Sequence, residues 1–203
     1  MQIKIRKKDY LLISMLCLLM SCGCQTNGSD IKSIHVVYYN YLFESPIQIG
    51  CEEIRKTAIP NFEKIFVYSP TDPSIIIDTI INYEAVLDTI IKDQIILANI
   101  EKQLTLLRSK TTTNNDIDAR ITTIIKYKNG KEDKLCIGGY LGDVISFNGK
   151  IQQPNRELLY LIKSSIGYYN WIPRKEISYM DELNDSTFMR DQVGCLEDNP
   201  LFN

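Results

Sequence analysis

Residues 117–153 read IDARITTIIKYKNGKEDKLCIGGYLGDVISFNGKIQQ and carry the clearest secondary-structure signal in the chain. Along residues 119–127, apolar and β-branched side chains alternate in the way that is typical of a β-strand. The Asn-Gly pairs at 129–130 and 148–149 each predict a hairpin turn, because both residue types tolerate positive φ angles. This stretch therefore predicts antiparallel strands that are joined by tight turns.

The apolar residues predict the register of the first hairpin. A two-residue loop at 129–130 would put the apolar residues of the two strands on different faces of the sheet. A three-residue loop at 128–130 places Leu135 opposite Thr123 and brings the apolar residues onto one face. We therefore predict the longer loop, with Gly130 in the left-handed conformation and a bulge.

Further strands are predicted upstream. Residues 31–43 are rich in β-branched and aromatic side chains, and alternate residues from Ile34 to Tyr38 share one face. Residues 65–68 form another candidate strand. Residues 75–91 contain the string Asp-Thr-Ile-Ile twice, and their Ile and Thr content favours two strands, although a helix also fits the spacing.

Two amphipathic helices are predicted from helical spacing of apolar residues. The first spans residues 93–108, and Asp93 can accept hydrogen bonds from the amides of its first turn. The second spans residues 156–169 and follows Asn155, which is a favoured N-cap residue. Pro173 stops this helix, because proline lacks the amide hydrogen that a helix interior needs.

These elements predict an α+β fold, an antiparallel β-sheet with two main amphipathic helices packed on one face. A short extended piece at 47–49 and a short helix at 50–56 are also expected. The length suits a single domain, which we place at residues 31–172. Residues 22–30 lack an apolar face and are expected to be a tether. Residues 173–203 are acidic and are expected to form a polar C-terminal tail.

The first 21 residues have the features of an export signal. Basic residues precede an apolar run at 11–20; they are Lys4, Arg6, Lys7 and Lys8. A run of about ten residues is too short to cross a bilayer core, which takes about 20 helical residues. We therefore expect residues 1–21 to be a signal peptide. The alternatives are an uncleaved anchor and a buried helix of a cytosolic domain.

The string Leu19-Met20-Ser21-Cys22 resembles the lipobox of bacterial lipoproteins: a large aliphatic residue, a tolerant position, a small residue and a cysteine. The resemblance implies that the Cys22 sulfur receives a diacylglycerol, that the chain is cut before Cys22, and that the new amine is often acylated, for example with palmitate. Cys24 is a second candidate, but Ser21 stands where its box needs the aliphatic residue. The expected membrane anchor is therefore a set of acyl chains on Cys22.

The residues that follow Cys22 bear on the membrane in which the anchor lies. Surface-exported lipoproteins of some Bacteroidetes carry an acidic run directly after the lipid cysteine, whereas the first acid here is Asp30. Gly23 also differs from the aspartate of the inner-membrane retention signal in enteric bacteria. The resemblance therefore implies the outer membrane, and its periplasmic side over the cell surface.

The charge of the chain excludes one class of partner. Residues 1–21 contain four of the 23 Lys and Arg residues and one of the 25 Asp and Glu residues, so the remaining chain keeps 19 against 24, a net charge of −5. A nucleic-acid-binding protein relies on basic surface and on the release of counterions. We therefore expect no nucleic-acid partner.

Four cysteines remain after Cys22. Cys51 and Cys136 are the only pair that we place in the folded body, because Cys24 lies on the tether and Cys195 in the predicted tail. In an oxidising compartment the four cysteines allow three pairings, among which the sequence does not choose, and Cys51 with Cys136 is the candidate disulfide. The chain has one histidine and no C-x-x-C spacing. We expect no structural zinc site and no cofactor.

No motif after the signal points to a specific reaction. Residues 138–142 are glycine-rich but lie between predicted strands, so a turn is favoured over a phosphate loop. Cys51 would need a base to act as a nucleophile, and His35 lies on a different element. The acidic pairs at 52–53 and 116–118 fit a helix start and a loop better than a glycosidase site. We therefore expect no catalytic residues.

The cluster of Tyr168, Tyr169 and Trp171 is the candidate binding patch. Exposed aromatic side chains can anchor a partner, whereas the alternative, closure of the core at the helix end, is favoured by their bulk. The sequence predicts a lipid-anchored cell-envelope protein of non-enzymatic binding or structural type, with another envelope protein, a peptide or a glycan as its partner. An envelope hydrolase and an inhibitor or immunity lipoprotein are the alternatives.

Overall fold

The computed structural model describes residues 28–40, 48–54, 65–68, 71–72, 76–80, 86–111, 117–139 and 141–198. The described fold is α+β, as the sequence predicts, with a six-stranded antiparallel sheet and four helices. Some predictions fall outside these ranges: the signal peptide, most of the tether, residues 41–47, 55–56, 81–85 and 116, and the end of the chain after residue 198.

The eight strands form two sheets. Their bounds are β1 Ile31–Tyr39, β2 Ile65–Tyr68, β3 Ile76–Ile80, β4 Val86–Ile91, β5 Ala119–Tyr127, β6 Glu132–Gly138, β7 Val144–Phe147 and β8 Lys150–Ile151. The main sheet has the order β4-β1-β5-β6-β7-β8, and β2 pairs with β3 alone. Residues 76–80 and 86–91 are therefore strands, which settles the choice that the sequence left open, but they belong to different sheets.

Two long helices and several short ones follow the strands. The long helices are α1 Gln94–Thr105 and α2 Arg156–Ser165. The short ones are a 3₁₀ turn Tyr168–Trp171, α3 Arg174–Ile177, α4 Asp181–Asn184 and a 3₁₀ turn Leu196–Asp198. The two long helices contact each other and lie on the same face of the main sheet.

The β5–β6 hairpin has the register that its apolar residues predict. Thr123 pairs with Leu135, and Gly130 has a φ of 87°, in the left-handed region. The register shift in this strand pair lies between Ala119 and Ile121, at the other end from the turn. A local pattern of apolar residues therefore decided the pairing correctly.

The strand β1 separates two hydrophobic clusters. Ile34, Val36 and Tyr38 pack with the long helices, whereas Val37 and Tyr39 pack on the opposite face. This is the alternation that a strand buried on both faces requires, because successive side chains point to opposite sides.

Residues 48–54 cover the second face of the sheet. Ile49 and Ile54 are buried there, and a disulfide joins Cys51 to Cys136 of β6 with a Cα–Cα distance of 5.9 Å. These are the two cysteines that the sequence places in the folded body. The cross-link therefore fixes this covering segment to the centre of the sheet.

The short helix predicted at 50–56 is wrong within the described residues. Residues 51–54 form a turn, and residues 48–49 belong to no strand. The physical reason is tertiary: the Ala119 amide donates to the Ile49 carbonyl (2.7 Å), and Asp118 accepts from the Ile49 amide (3.1 Å). These bonds and the disulfide hold the backbone against the sheet.

Both predicted helix caps are confirmed. Asp93 accepts hydrogen bonds from the amides of Ile95 and Ile96, and Asn155 accepts one from the Leu158 amide (2.9 Å). The second helix ends earlier than predicted. Gly167, with a φ of 67°, ends it in the left-handed conformation that commonly terminates helices.

Residues 173–198 are part of the folded domain and not a polar tail. Met180 and Cys195 are 1 % and 3 % exposed, and the Leu196 amide donates to the Ile172 carbonyl (2.9 Å). The prediction failed because this segment packs through single apolar residues between helices of four residues, which are too short to show a period. We call residues 173–198 the C-terminal segment.

Candidate binding groove

A buried ion pair attaches the C-terminal segment to α2. The Lys163 ammonium lies 2.6 Å from the Glu182 carboxylate, and the two side chains are 0 % and 1 % exposed. Lys163 also donates to the Leu141 carbonyl (2.9 Å), and the Tyr169 hydroxyl donates to Glu182 (3.3 Å). The pair therefore connects α2, α4, the β6–β7 loop and the 3₁₀ turn.

Burial changes the proton affinities around this pair. It lowers the pKa of Lys163, and the Glu182 carboxylate opposes that change. Burial raises the pKa of Tyr169, and the same carboxylate adds to the effect, so the phenol stays protonated and acts as a donor. Both charges must be present for this arrangement to be stable, because a single buried charge without its partner is strongly unfavourable.

A groove of about 560 Å³ runs along the edge of the C-terminal segment. Its walls come from α1, from the outward face of α2 and from residues 189–194; they include Ile96, Asn99, Tyr160, Leu161, Ser164, Ser165, Arg190 and Gln192. This volume lies within the range of about 300–1,000 Å³ that is usual for ligand sites. We call it the Tyr160 groove.

Most of the polar groups that line the Tyr160 groove are neutral. The Tyr160 hydroxyl accepts from the Asp191 amide (2.9 Å) and keeps its own hydrogen for another acceptor. Ser164 and Ser165 donate to carbonyls within α2, so their oxygen lone pairs remain as acceptors. The side chain of Gln192 is exposed and makes no hydrogen bond to any residue that the structure describes.

The rim of the groove contains exposed apolar and cationic side chains. Met189 is 98 % exposed. The Arg190 guanidinium lies 5.6 Å from the centre of the Phe188 ring and donates to the Glu182 carbonyl (3.3 Å). The exposed Met189 side chain offers apolar contact to a partner, and the neighbouring Arg190 guanidinium offers hydrogen bonds and charge.

A second cavity, of about 450 Å³, lies at the start of α2. It is lined by Gln103, Asn155, Arg156, Asp185, Thr187 and Phe188, among others. Arg156 donates to Asp181 (2.9 Å) and Asp185 (3.4 Å) across this seam. Two of the three charged side chains that line it, Arg156 and Asp185, are therefore already paired with each other, which makes it the weaker candidate for a ligand.

The predicted aromatic binding patch is wrong. Tyr168, Tyr169 and Trp171 are 1 %, 2 % and 8 % exposed. Tyr168 packs edge-on against Tyr38, with 5.9 Å between the ring centres, and the three residues belong to the core under the helices. They close the core at the end of α2, which was the favoured alternative.

The nucleophile candidate is a disulfide partner. Cys51 is bonded to Cys136 and has no free thiol. The ring of His35 contacts the Asp88 carboxylate on the neighbouring strand β4. The structure therefore does not bring a thiol and a histidine together at these positions.

The predicted acidic pairs are tied to basic residues instead of converging. Glu52 accepts from Lys134 (2.6 Å), and Asp118 lies 3.3 Å from Arg120. Asp116 lies outside the described residues. Across the part of the chain that the structure describes, no cluster of His, Cys, Asp or Glu side chains could hold a metal ion.

Two features were missed by sequence reasoning. Lys163 lies four residues after Leu159, within the apolar stripe of α2, and a lysine at such a position signals a buried partner. Nothing in the sequence identifies Glu182 as that partner, or the Tyr160 groove, because both depend on a segment whose sequence predicts a polar tail.

The lipidation candidates Cys22 and Cys24 lie outside the described residues. No helix within the described ranges has the length and apolar character needed to cross a membrane. Comparison with protein-family models, with curated proteins and with solved structures finds no match.

Proposed function

We propose that the chain is a lipid-anchored cell-envelope protein that is held by acyl chains on Cys22 and acts by binding. The observation that carries this proposal is the disulfide between Cys51 and Cys136. Disulfides persist in exported proteins and are rare in the reducing cytosol. The cross-link therefore supports the export that the signal and the lipobox-like residues predict, with the outer membrane and its periplasmic side as the proposed location.

The start of the described fold supports a short tether. Ser29 is buried, and its hydroxyl donates to Glu101 (2.7 Å). Only residues 23–28 lie between Cys22 and this fixed point, and they include no apolar stretch. A short polar link between an acylated cysteine and a folded domain fits an anchored binding protein.

The Tyr160 groove supports a binding role. Its neutral donors and acceptors and its exposed Met189 suit a peptide segment or another envelope protein. A glycan is the less favoured ligand, because the rings that would stack on a sugar, Tyr168, Tyr169 and Trp171, are buried.

The two alternatives from the sequence have less support. A hydrolase that uses Cys51 lacks its thiol. An inhibitor with an acidic face would need unpaired acids, whereas Asp181, Asp185 and Asp198 in the C-terminal segment all pair with arginines. Charge pairing lowers the field that would attract a basic partner.

Membrane fractionation with fatty-acid labelling tests the anchor. The full chain with a C-terminal tag is compared with Cys22→Ala and with the matched variant Cys24→Ala. We expect Cys22→Ala to leave the membrane fraction and to lose the label, and Cys24→Ala to behave like the unchanged chain. If Cys22→Ala stays in the membrane with the label, the proposal is wrong.

Site-directed photo-crosslinking in intact cells tests the groove. A photoreactive residue replaces Asn99 or Gln192, and Lys175 on α3 serves as the exposed control position. We expect one adduct of defined mass from both groove positions and none from the control. An adduct of equal yield at all three positions, or none at the groove, contradicts binding through the groove.

A further inference from the structure

The fold holds the chain from residue 29 onward. The Ser29 hydroxyl and the Asp30 amide both donate to the same Glu101 oxygen, at 2.7 Å and 2.9 Å. The Ser29 hydroxyl also accepts from the Ile31 amide (3.0 Å). The point at which the tether joins the domain is therefore fixed at the start of β1.

The turn between β5 and β6 lies beside this point. The Lys128 amide donates to the Asp30 carbonyl (2.9 Å), and Ile31 pairs with Tyr127. A Cβ atom placed on Gly28 would lie 3.9 Å from the Lys128 ammonium. We call residues 28–32 and 126–132 together the hairpin end of the domain.

The short tether limits how far the hairpin end can lie from the anchor. Six residue steps separate Cys22 from Gly28, and a fully extended chain of that length spans at most about 20 Å. The acyl chains on Cys22, which are part of the proposed function, would therefore keep the hairpin end within that distance of the lipid head groups.

The hairpin end carries exposed lysines, which are Lys32, Lys126, Lys128 and Lys131. Two of them have acidic partners: Lys126 lies 3.4 Å from Glu132, and Lys131 lies 2.8 Å from Asp133. Among the residues that the structure describes, Lys32 and Lys128 have no ion pair. The exposed acids of the hairpin end are Asp30 and Glu132, of which Glu132 is paired with Lys126; the Glu101 carboxylate is occupied by the hydrogen bonds described above.

We propose that the hairpin end is the surface that faces the membrane, and that Lys32 and Lys128 contact the phosphate groups of lipid heads. The proposal rests on the acylation of Cys22. The ammonium group of lysine binds phosphate as a point charge, and anionic lipid attracts basic residues within a Debye length of the surface. The net charge of −5 does not show this local site, because the C-terminal segment, with seven acidic and three basic residues, accounts for −4 of it.

The opposite end of the sheet faces away from the membrane in this orientation. Tyr38 lies seven residues beyond Ile31 on β1, which corresponds to about 23 Å along a strand. Tyr38 contacts Tyr168 of the 3₁₀ turn that precedes α3. Lys175 of α3, which follows this 3₁₀ turn in sequence, is 68 % exposed and lies 4.0 Å from Glu176; it serves as the comparison lysine outside the hairpin end.

Lysine acetylation of the lipidated full chain tests the orientation. Rates at single lysines are measured by mass spectrometry in vesicles of phosphatidylethanolamine and phosphatidylglycerol and in micelles of a non-ionic detergent. We expect Lys32 and Lys128 to react about fivefold more slowly in the vesicles, which corresponds to about 1 kcal/mol per lysine at an anionic surface. Lys175 should react at the same rate in both.

Flotation of the same vesicles separates this proposal from the anchor itself. If the chain floats with the vesicles and Lys128 reacts as fast as in micelles, the orientation is wrong and the lipid anchor stands. If the chain does not float, the proposed function fails and the orientation fails with it. Slower acetylation of Lys175 than of Lys128 would reverse the orientation and so overturn the proposal.

Discussion

The Lys163 ammonium and the Glu182 carboxylate lie 2.6 Å apart, and neither side chain reaches solvent. Nineteen residues separate them in sequence, so the pair joins a long helix to a segment with little periodicity of its own. This contact holds the C-terminal segment, whose sequence predicts a polar tail, against the folded domain. The same contact positions residues 189–194, which form one wall of the Tyr160 groove.

Removal of one partner of this pair should destabilise the domain strongly. We expect Glu182→Gln and Lys163→Met to lower the free energy of unfolding by about 3–5 kcal/mol each, because a buried charge is left without its partner. The double variant should recover much of this loss. Urea unfolding measures all three, and Asp181→Ala, which breaks the exposed pair with Arg156, should change stability by about 1 kcal/mol or less. Equal effects of Glu182→Gln and Asp181→Ala would contradict the account.

The sequence predicted those parts of the fold that depend on local patterns. The pairing of Thr123 with Leu135 follows from the alternation of two adjacent strands, and the cap of α2 follows from Asn155 and the apolar run after it. Both signals lie within about 20 residues of chain, where periodicity and turn chemistry are informative.

The candidate site could not be predicted in the same way. The Tyr160 groove exists because the C-terminal segment packs across α2, and that packing depends on Lys163, Glu182 and Met180. These residues look ordinary in sequence: an acid and a methionine in a polar stretch, and one lysine on a helix. Tertiary contacts between distant residues determine their burial, and no local rule contains that information.

Replacing one buried hydroxyl of the core with a methyl group should stabilise the domain. The Thr123 side chain is 0 % exposed, and its hydroxyl oxygen has no hydrogen-bond partner among the residues that the structure describes. Thr123→Val removes the buried polar group and keeps the shape, so we expect about 1 kcal/mol of added stability. Thr122→Val on the opposite face is the control and should gain less. A loss of stability for Thr123→Val in thermal unfolding would contradict this assignment.

The buried Asp133 carboxylate, beside the hairpin end, should make the stability of the domain depend on acid pH. Burial alone would raise the pKa of Asp133, but hydrogen bonds from Lys131, Asn148 and Tyr127 outweigh it and hold the pKa below its ordinary value. A lowered folded-state pKa contributes stability that is present above the unfolded pKa of about 4 and is lost as the pH falls through the folded value.

Urea midpoints measured from neutral pH to about pH 2 should therefore decrease on acidification, with a smaller decrease in Asp133→Asn. Asp181→Asn, which changes an exposed acid, is the matched control and should retain the full decrease. The assignment to Asp133 is wrong if its variant and the control have the same pH profile.

The disulfide should be needed for stability, whereas the remaining buried cysteine should not. Reduction, or the double variant Cys51→Ser and Cys136→Ser, should cost about 2–5 kcal/mol, because the cross-link restricts a long loop of the unfolded chain. Cys195 has a free thiol that contacts Asp198, and Cys195→Ser should change the unfolding midpoint much less. A reductant-insensitive midpoint for the unchanged chain would argue against the cross-link, and with it against the structural support for export.

The most direct test of the central proposal is the mass of the N-terminal peptide of the chain purified from membranes. The account predicts a peptide that begins at Cys22 and carries a diacylglycerol on its sulfur, with residues 1–21 absent. A peptide that begins at Met1, or one in which Cys22 is unmodified, would contradict the lipid anchor. A start at Met1 would favour the alternative that residues 11–20 are an uncleaved anchor.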